Sequence, residues 1–430
     1  QSVLNAIGMK LASTPTRAAL SFLRHRAQIW LSGLRFQERD RSQISAEDLV
    51  RVDACWSVAI GLGIVDTVRA ADFQARHLLL ALKIGDPLRI ARALAVEVPY
   101  ASLGGPRTRR RTERLASVAE QVAARVNDPS AVALLGLAKG TASFFQGRWS
   151  TTRELLNRAE AVLREQCTGV TWELDTAHIY LVLALFYLGE VRELRLRVPA
   201  LLKEAEERDD LNGTTNLRTR VSYLISLADD DPAHARAEVQ KGMARWPRES
   251  FHTQHSWELH AEGEIQLYEG QCLAAWERVN GSWPALRRSV LLRIQNVRIE
   301  FLYLRARCAV GASHDPAASA DRRAALQRAA WRDIRRLARE KSPWAAAVAD
   351  LLGAAAMTAE GERDAALGRL RSAEATFKAL EMPLHGAVAR YRHGALTGGS
   401  AGRALMEEAE AWMRSQTIHN PQKFAAMLAP

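Results

Sequence analysis

"LAKGTASFFQGRWSTTRELLNRAEAVL", residues Leu137–Leu163, decides the fold. Two segments with apolar residues at helical spacing flank Gly147-Arg148-Trp149, and neither alternates as a strand would. A glycine there suits a helix end that turns through the left-handed region, which costs any residue with a Cβ. The trio therefore reads as a corner between two packed helices, with Trp149 packing across the pair, rather than as a ligand platform.

The corner recurs. Aligned on Gly147, "FYLGEV" places it at Gly189, "LADDDPAHA" near Asp230, "LYEGQC" at Gly270 and "CAVGAS" at Gly311, at intervals of 40 to 42 residues. "KIGDP" at Gly85 and "AEGER" at Gly361 fit at longer steps, where "SLGGPRTRRRT" and "ASHDPAASADRR" read as loop insertions. A fixed period in a helix-forming sequence marks stacked helical hairpins. Small residues fall seven before the corner and five and twelve after it: Gly140, Thr152 and Ala159 around Gly147; Gly263, Ala275 and Ser282 around Gly270; Ala354, Ala366 and Ala373 around Gly361. This is the interlocking pattern of tetratricopeptide units, at a period longer than their usual length of about 34 residues. The expected fold is all-α: an α-solenoid, or superhelix, of tetratricopeptide-like helix-turn-helix repeats of about 40 residues. "HIYLVLALFYL" (178–188) is apolar almost all round and predicts a buried inner helix, whereas "TTRELLNRAEAVLRE" predicts an outer helix with one apolar stripe. The inner helices then enclose either a filled interior or a groove for a partner helix.

Residues 1–52 are helical in pattern without a corner and read as an N-terminal cap or linker from an upstream domain; "FQERDRSQISAEDLVRV" reads as a charged loop with Ser45 as a helix cap. Repeats fill 53–400. Residues 401–430 form a capping helix, a break at Asn420-Pro421 and a last turn. The chain begins at Gln1 and is read as a piece of a longer protein.

Of the 430 residues, 48% are hydrophobic, enough for an ordinary core, and the apolar runs are shorter than the roughly 20 residues a membrane span needs. No signal-peptide pattern opens the chain, and the four cysteines are scattered singly, as in a reducing cytoplasm. The net charge of +11 comes from arginine spread along the whole length, which argues against a nucleic-acid footprint.

Motifs for chemistry are missing. There is no phosphate-cradling G-x-x-x-x-G-K-[ST], no kinase signature and no G-x-S-x-G elbow. "GLGIVD" (61–66) lacks the third glycine and the strand of a dinucleotide loop. His252, His255 and His260 cluster near Glu258, Glu262 and Glu264, but without H-E-x-x-H; a polar helix start is the plainer reading than zinc. Glu206/Glu207 and Glu407/Glu408 sit on charged faces with no apolar pocket. No catalytic, cofactor-binding or metal residue is assigned, and no cofactor. The candidate partner-binding residues are Arg107, Arg109, Arg110 and Arg111, otherwise a solvated mobile loop, and Tyr180, Tyr187, Tyr223 and Tyr268 of the inner layer, which would line a deep pocket if a small effector is sensed.

The strings Asp53–Glu97 ("DACWSVAIGLGIVDTVRAADFQARHLLLALKIGDPLRIARALAVE"), Gly147–Glu190 ("GRWSTTRELLNRAEAVLREQCTGVTWELDTAHIYLVLALFYLGE") and the tail "AWMRSQTIHNPQKFAAMLAP" resemble the C-terminal helical-repeat region of large bacterial serine/threonine protein kinases, in which a kinase domain and an AAA-type ATPase domain precede this region. The family's catalytic residues lie upstream and match no position here. The resemblance implies a cytoplasmic, non-catalytic sensor or scaffold that binds a protein, a peptide or the chain's own upstream domains, and thereby biases kinase and ATPase. A small-molecule-sensing repeat domain of an ATPase-type regulator is the alternative.

Overall fold

The computed structural model describes residues 9–63, 66–249 and 251–430. Residues 1–8 of the N-terminal segment, Ile64 and Val65 of the Gly61–Asp66 stretch, and Ser250 lie outside the described residues. The chain is all-α, and successive helices pack on one another in sequence order, as in a helical-repeat solenoid. Two compact units are present: Gln1–Leu103 with Arg107–Gln146 and Thr151–Ala177, and His178–Pro430 with Gly104–Pro106 and Gly147–Ser150. No described helix is long and apolar enough to cross a membrane.

The helices of the first part are α1 (Pro15–Ser32), α2 (Ala46–Leu62), α3 (Thr67–Ile84), α4 (Pro87–Ser102), α5 (Arg109–Val126), α6 (Pro129–Phe145), α7 (Trp149–Gln166) and α8 (Thr171–Tyr187). Their starts follow sequence chemistry. Ser45 caps α2 by accepting from the Asp48 amide, Asp66 caps α3, and Asp86 and Asp128 cap α4 and α6, each with proline next. α1 is fixed by buried carboxylates: His25 Nδ1 lies 2.8 Å from Asp72, and Arg26 pairs with Glu97.

The second part continues with α9 (Val191–Glu207), α10 (Leu211–Leu217), α11 (Tyr223–Ala228), α12 (Pro232–Met243), α13 (Thr253–Tyr268), α14 (Cys272–Arg288), α15 (Gln295–Ser313), α16 (Ala320–Ala338), α17 (Pro343–Ala359), α18 (Arg363–Ala379), α19 (Pro383–Thr397), α20 (Gly399–Ser415) and α21 (Pro421–Leu428). One π-helical turn, Arg218–Ser222, joins α10 to α11.

Most predicted corners fall where expected. Gly85, Gly147, Gly189, Gly270 and Gly361 all have positive φ, and so does Asp230 at 61°. The interlock is visible around Gly147: a Cβ on Gly140 would sit 2.5 Å from Leu156 Cδ2, and the Thr152 hydroxyl donates to the Gly140 carbonyl at 3.2 Å. Trp149 is 1% exposed and stacks on Tyr187 with centroids 4.1 Å apart, so the stretch is a packed corner.

Gly311 is the exception. It lies inside α15, and the chain turns beyond it, between His314 and the Ser319 cap of α16. Glycine is needed there for a different reason: a Cβ would approach Cys272 Sγ to 2.5 Å. A glycine demanded by close helix packing here imitates one demanded by a bend. The basic segment also differs from the expected loop. Gly105–Thr108 is a 3-10 turn, and Arg109, Arg110 and Arg111 form the first turn of α5.

Candidate functional site

In the second unit the inner layer is built from α11, α13, α15, α17 and α19, the helices that precede the corners. Its interior is filled. The last helix, α21, lies against α13 and α19, with Phe424, Met427 and Leu428 at most 1% exposed. Asn420 caps α21 by accepting from the Lys423 amide, which places the chain break where the Asn-Pro pair predicted it.

Charged groups meet inside this apolar shell. Arg307 Nη2 lies 2.6 Å from Glu264 Oε1, and Arg220 Nη2 lies 2.5 Å from Glu300 Oε1. The Tyr223 hydroxyl donates to Glu264 at 2.8 Å, and the Tyr187 hydroxyl donates to Glu300. Arg307 also donates to the Met427 carbonyl at 3.2 Å, and Tyr303 to the Leu428 carbonyl at 2.6 Å. Those carbonyls belong to the last turn of α21, where a helix leaves acceptors unsatisfied and favours a cation. Arg220 lies in the π turn and Tyr223 follows it directly, so one short stretch of backbone supplies a partner to each carboxylate; such turns are frequent at functional sites.

The cluster surrounds a cavity of about 20 Å³. That is room for about one water molecule. Arg220 Nε, Arg307 Nε and His385 Nδ1 are buried beside it without a protein partner. Burial pulls His260 and His385 down to about 4, so both are neutral at pH 7. Burial opposes the charge of Glu264, but His260, charged once the pH falls below about 4, and Arg307 outweigh it and hold the carboxyl down at about 2. Burial, then the neighbouring carboxylates, push Tyr187 and Tyr223 far above the usual phenol range. The arrangement is two internally neutralised ion pairs with their hydrogen-bond partners.

The four candidate tyrosines separate. Tyr187 and Tyr223 line the cavity, whereas Tyr268 donates to Asp230 at 2.8 Å and Tyr180 is not among the lining residues. Arg107, Arg109, Arg110 and Arg111 are exposed at the start of α5, and Arg109 pairs with Glu113 at 2.7 Å. The histidines separate too. His252 stands at the N-terminus of α13, where its amide donates to His255 Nδ1 at 2.9 Å and its ring accepts from Trp246 Nε1 at 3.2 Å. His260 is one helix face away, in the ionic cluster. Among the described residues no three His, Cys, Asp or Glu side chains are grouped to hold a metal.

Two features were not expected from the sequence. The ionic cluster left one trace there: Glu300 and Arg307 interrupt the otherwise largely apolar stretch 299–311 of an inner helix. The other feature is on the first unit. α1 buries Ala18 and Ile29 but leaves Leu20, Leu23, Trp30 and Leu31 between 61% and 80% exposed. No family model matches this chain, and no curated protein matches it.

Proposed function

We propose that this chain is a non-catalytic regulatory module, a scaffold or sensor that works by docking a protein or peptide partner. The setting is the one the resemblance implies: the cytoplasmic, C-terminal repeat region of a bacterial signalling protein with serine/threonine kinase and ATPase domains. The observation that carries the reading is the outward apolar face of α1. Large exposed side chains scattered singly are ordinary, but four on one face, including a tryptophan, mark a contact surface.

The small-effector reading has one observation in its favour, the convergence of ionisable side chains on the interior cavity. At about 20 Å³ that cavity takes a water rather than a metabolite, and Leu428 of α21 forms part of its wall. A larger effector would need the surrounding helices to move apart. Docking on the surface needs no such rearrangement.

The test is cross-linked capture of partners from host cells by the full chain and by its Leu23→Ser/Trp30→Ser variant. Partners whose cross-links map to α1 and vanish in the variant support docking. Identical partners and cross-links from both chains would reject it.

A further inference from the structure

We propose that the outward face of α1 is a seam for one amphipathic helix of a protein partner, and that the partner's helix carries acidic side chains along its flank. This rests on the docking reading and adds the shape and charge of what docks.

The shape follows from spacing. Leu20, Leu23, Ala27 and Trp30 are separated by three, four and three residues, the rhythm of the a and d positions in paired helices. All four are exposed, and Leu31 widens the seam at its end. Ala27 is small, so it leaves a depression between Leu23 and Trp30. A side chain from a facing helix fills such a depression as a knob fills a hole. A lipid surface has no corresponding ridge, and it would not select this rhythm.

The seam is held ready. On the opposite face, Ala18 and Ile29 are buried, His25 and Arg26 are tied to Asp72 and Glu97, and Arg76 donates to Ser21 at 3.0 Å. The Thr14 hydroxyl caps the first turn by accepting from the Arg17 amide, and the Gly33 amide closes the last by donating to Ile29. A partner therefore meets a helix already formed, which lowers the entropic cost of binding.

The charge selects the partner. α1 contains no Asp or Glu. Arg17 and Arg24 are exposed along the same edge of the seam, at the e positions of this register, where charged residues set partner choice. A second copy of the chain would bring arginine against arginine in an antiparallel pair. A helix with Glu or Asp on that edge pairs with both.

The probe is a dye-labelled peptide of three heptads with leucine at a and d and glutamate at e and g; its own acidic flanks keep it from self-pairing. A second peptide carries lysine in place of glutamate. Fluorescence anisotropy with the full chain is expected to show the glutamate peptide binding about tenfold more tightly, from the sum of favourable and unfavourable exposed pairs at Arg17 and Arg24. Salt should narrow the difference, and Leu23→Ser/Trp30→Ser should abolish binding while Arg110→Ser/Arg111→Ser leaves it unchanged. Equal affinity for the two peptides overturns the acidic partner. Binding to phosphatidylserine vesicles that depends on Trp30, without peptide binding, overturns the helix in favour of a membrane. If neither peptide binds while captured partners still depend on Leu23 and Trp30, this inference falls and the docking reading stands. If capture is indifferent as well, both fall.

Discussion

Tyr303 on α15 donates its hydroxyl to the carbonyl of Leu428 at 2.6 Å, so an inner-layer helix closes the end of the chain's last helix. α21 is therefore a part of the second unit's core. Phe424 is 1% exposed within it. Phe424→Ala is expected to cost about 3–5 kcal/mol, the range for a buried phenylalanine. Tyr303→Phe removes only the hydroxyl and should cost about 1–3 kcal/mol, because the Leu428 carbonyl then lacks its donor. Urea unfolding of the two variants checks both; a Phe424→Ala loss below that of a surface change would mean that α21 is dispensable.

The ion pair between Arg307 and Glu264 predicts an asymmetry. Both side chains are almost completely buried, at 1% and 2% exposure. Arg307→Met strands the Glu264 carboxylate in an apolar shell, for an expected loss of about 3–5 kcal/mol. The paired change Arg307→Met/Glu264→Leu removes both charges and should recover much of that loss. A double variant less stable than Arg307→Met would show that the cluster's hydrogen bonds to Tyr223 and Met427 matter more than the stranded charge.

The buried histidines predict acid sensitivity. His260 faces Glu264, Glu300, Arg220 and Arg307, and His385 faces Arg307 and Glu264. Both have folded values of about 4, below the roughly 6.5 of an unfolded histidine. Between those two values the unfolded chain binds more protons than the folded one. The stability they contribute is complete above about pH 6.5 and declines as pH falls toward 4. Glu264, held at about 2, adds a second loss that sets in as pH falls through the ordinary carboxylate range and continues toward pH 2. Unfolding free energy should be level between pH 7.5 and about 6.5 and fall from there to pH 4.5, and His385→Phe should flatten that fall by up to about 1.4 kcal/mol per pH unit. An unchanged slope would mean that His385 binds its proton as readily in the folded protein as in the unfolded chain.

Much of this fold was legible in the sequence because helical corners and close packing have residue-level requirements. Gly147, Gly189, Gly270 and Gly361 stand at left-handed turns, and Gly140 and Ala159 stand where helices touch. The same logic failed at Gly311, where a glycine demanded by Cys272 imitated one demanded by a turn. Only Glu300 and Arg307 on one inner helix hinted at the ionic cluster; its assembly was not legible because its members lie far apart in sequence, and Tyr187, Arg220, Glu264 and Glu300 meet only through stacking of the inner layer. The seam on α1 was hidden for the opposite reason. Its rhythm is that of any core-facing helix, and only the coordinates show that Ala18 and Ile29 take the core side while Leu23 and Trp30 face outward.

The corner glycines are not equivalent, and substitution should rank them. Gly361 has φ of +83° with open space around its missing Cβ, so Gly361→Ala carries only the left-handed penalty, about 1–2 kcal/mol. Gly85 has φ of +85°, and a Cβ there would stand 2.3 Å from the Gln37 carbonyl oxygen, a backbone atom that can move only with its segment. Gly85→Ala should therefore cost more than Gly361→Ala. Thermal unfolding of the two variants decides it; equal losses would show that the segment at Gln37 yields freely.

The seam on α1 makes one demand on stability as well as on binding. Leu23 and Trp30 are 61% and 80% exposed, so Leu23→Ser and Trp30→Ser remove little buried area and should each change unfolding free energy by no more than about 0.5 kcal/mol. Ile29, one residue from Trp30 and 7% exposed, faces the other way. Ile29→Ser puts a hydroxyl into the contact with α3 and empties it of a branched side chain, for an expected loss of about 2–5 kcal/mol. The contrast between neighbours separates a docking surface from a core. If Trp30→Ser destabilises the chain as much as Ile29→Ser, the tryptophan is covered within the folded protein and no surface remains there for a partner.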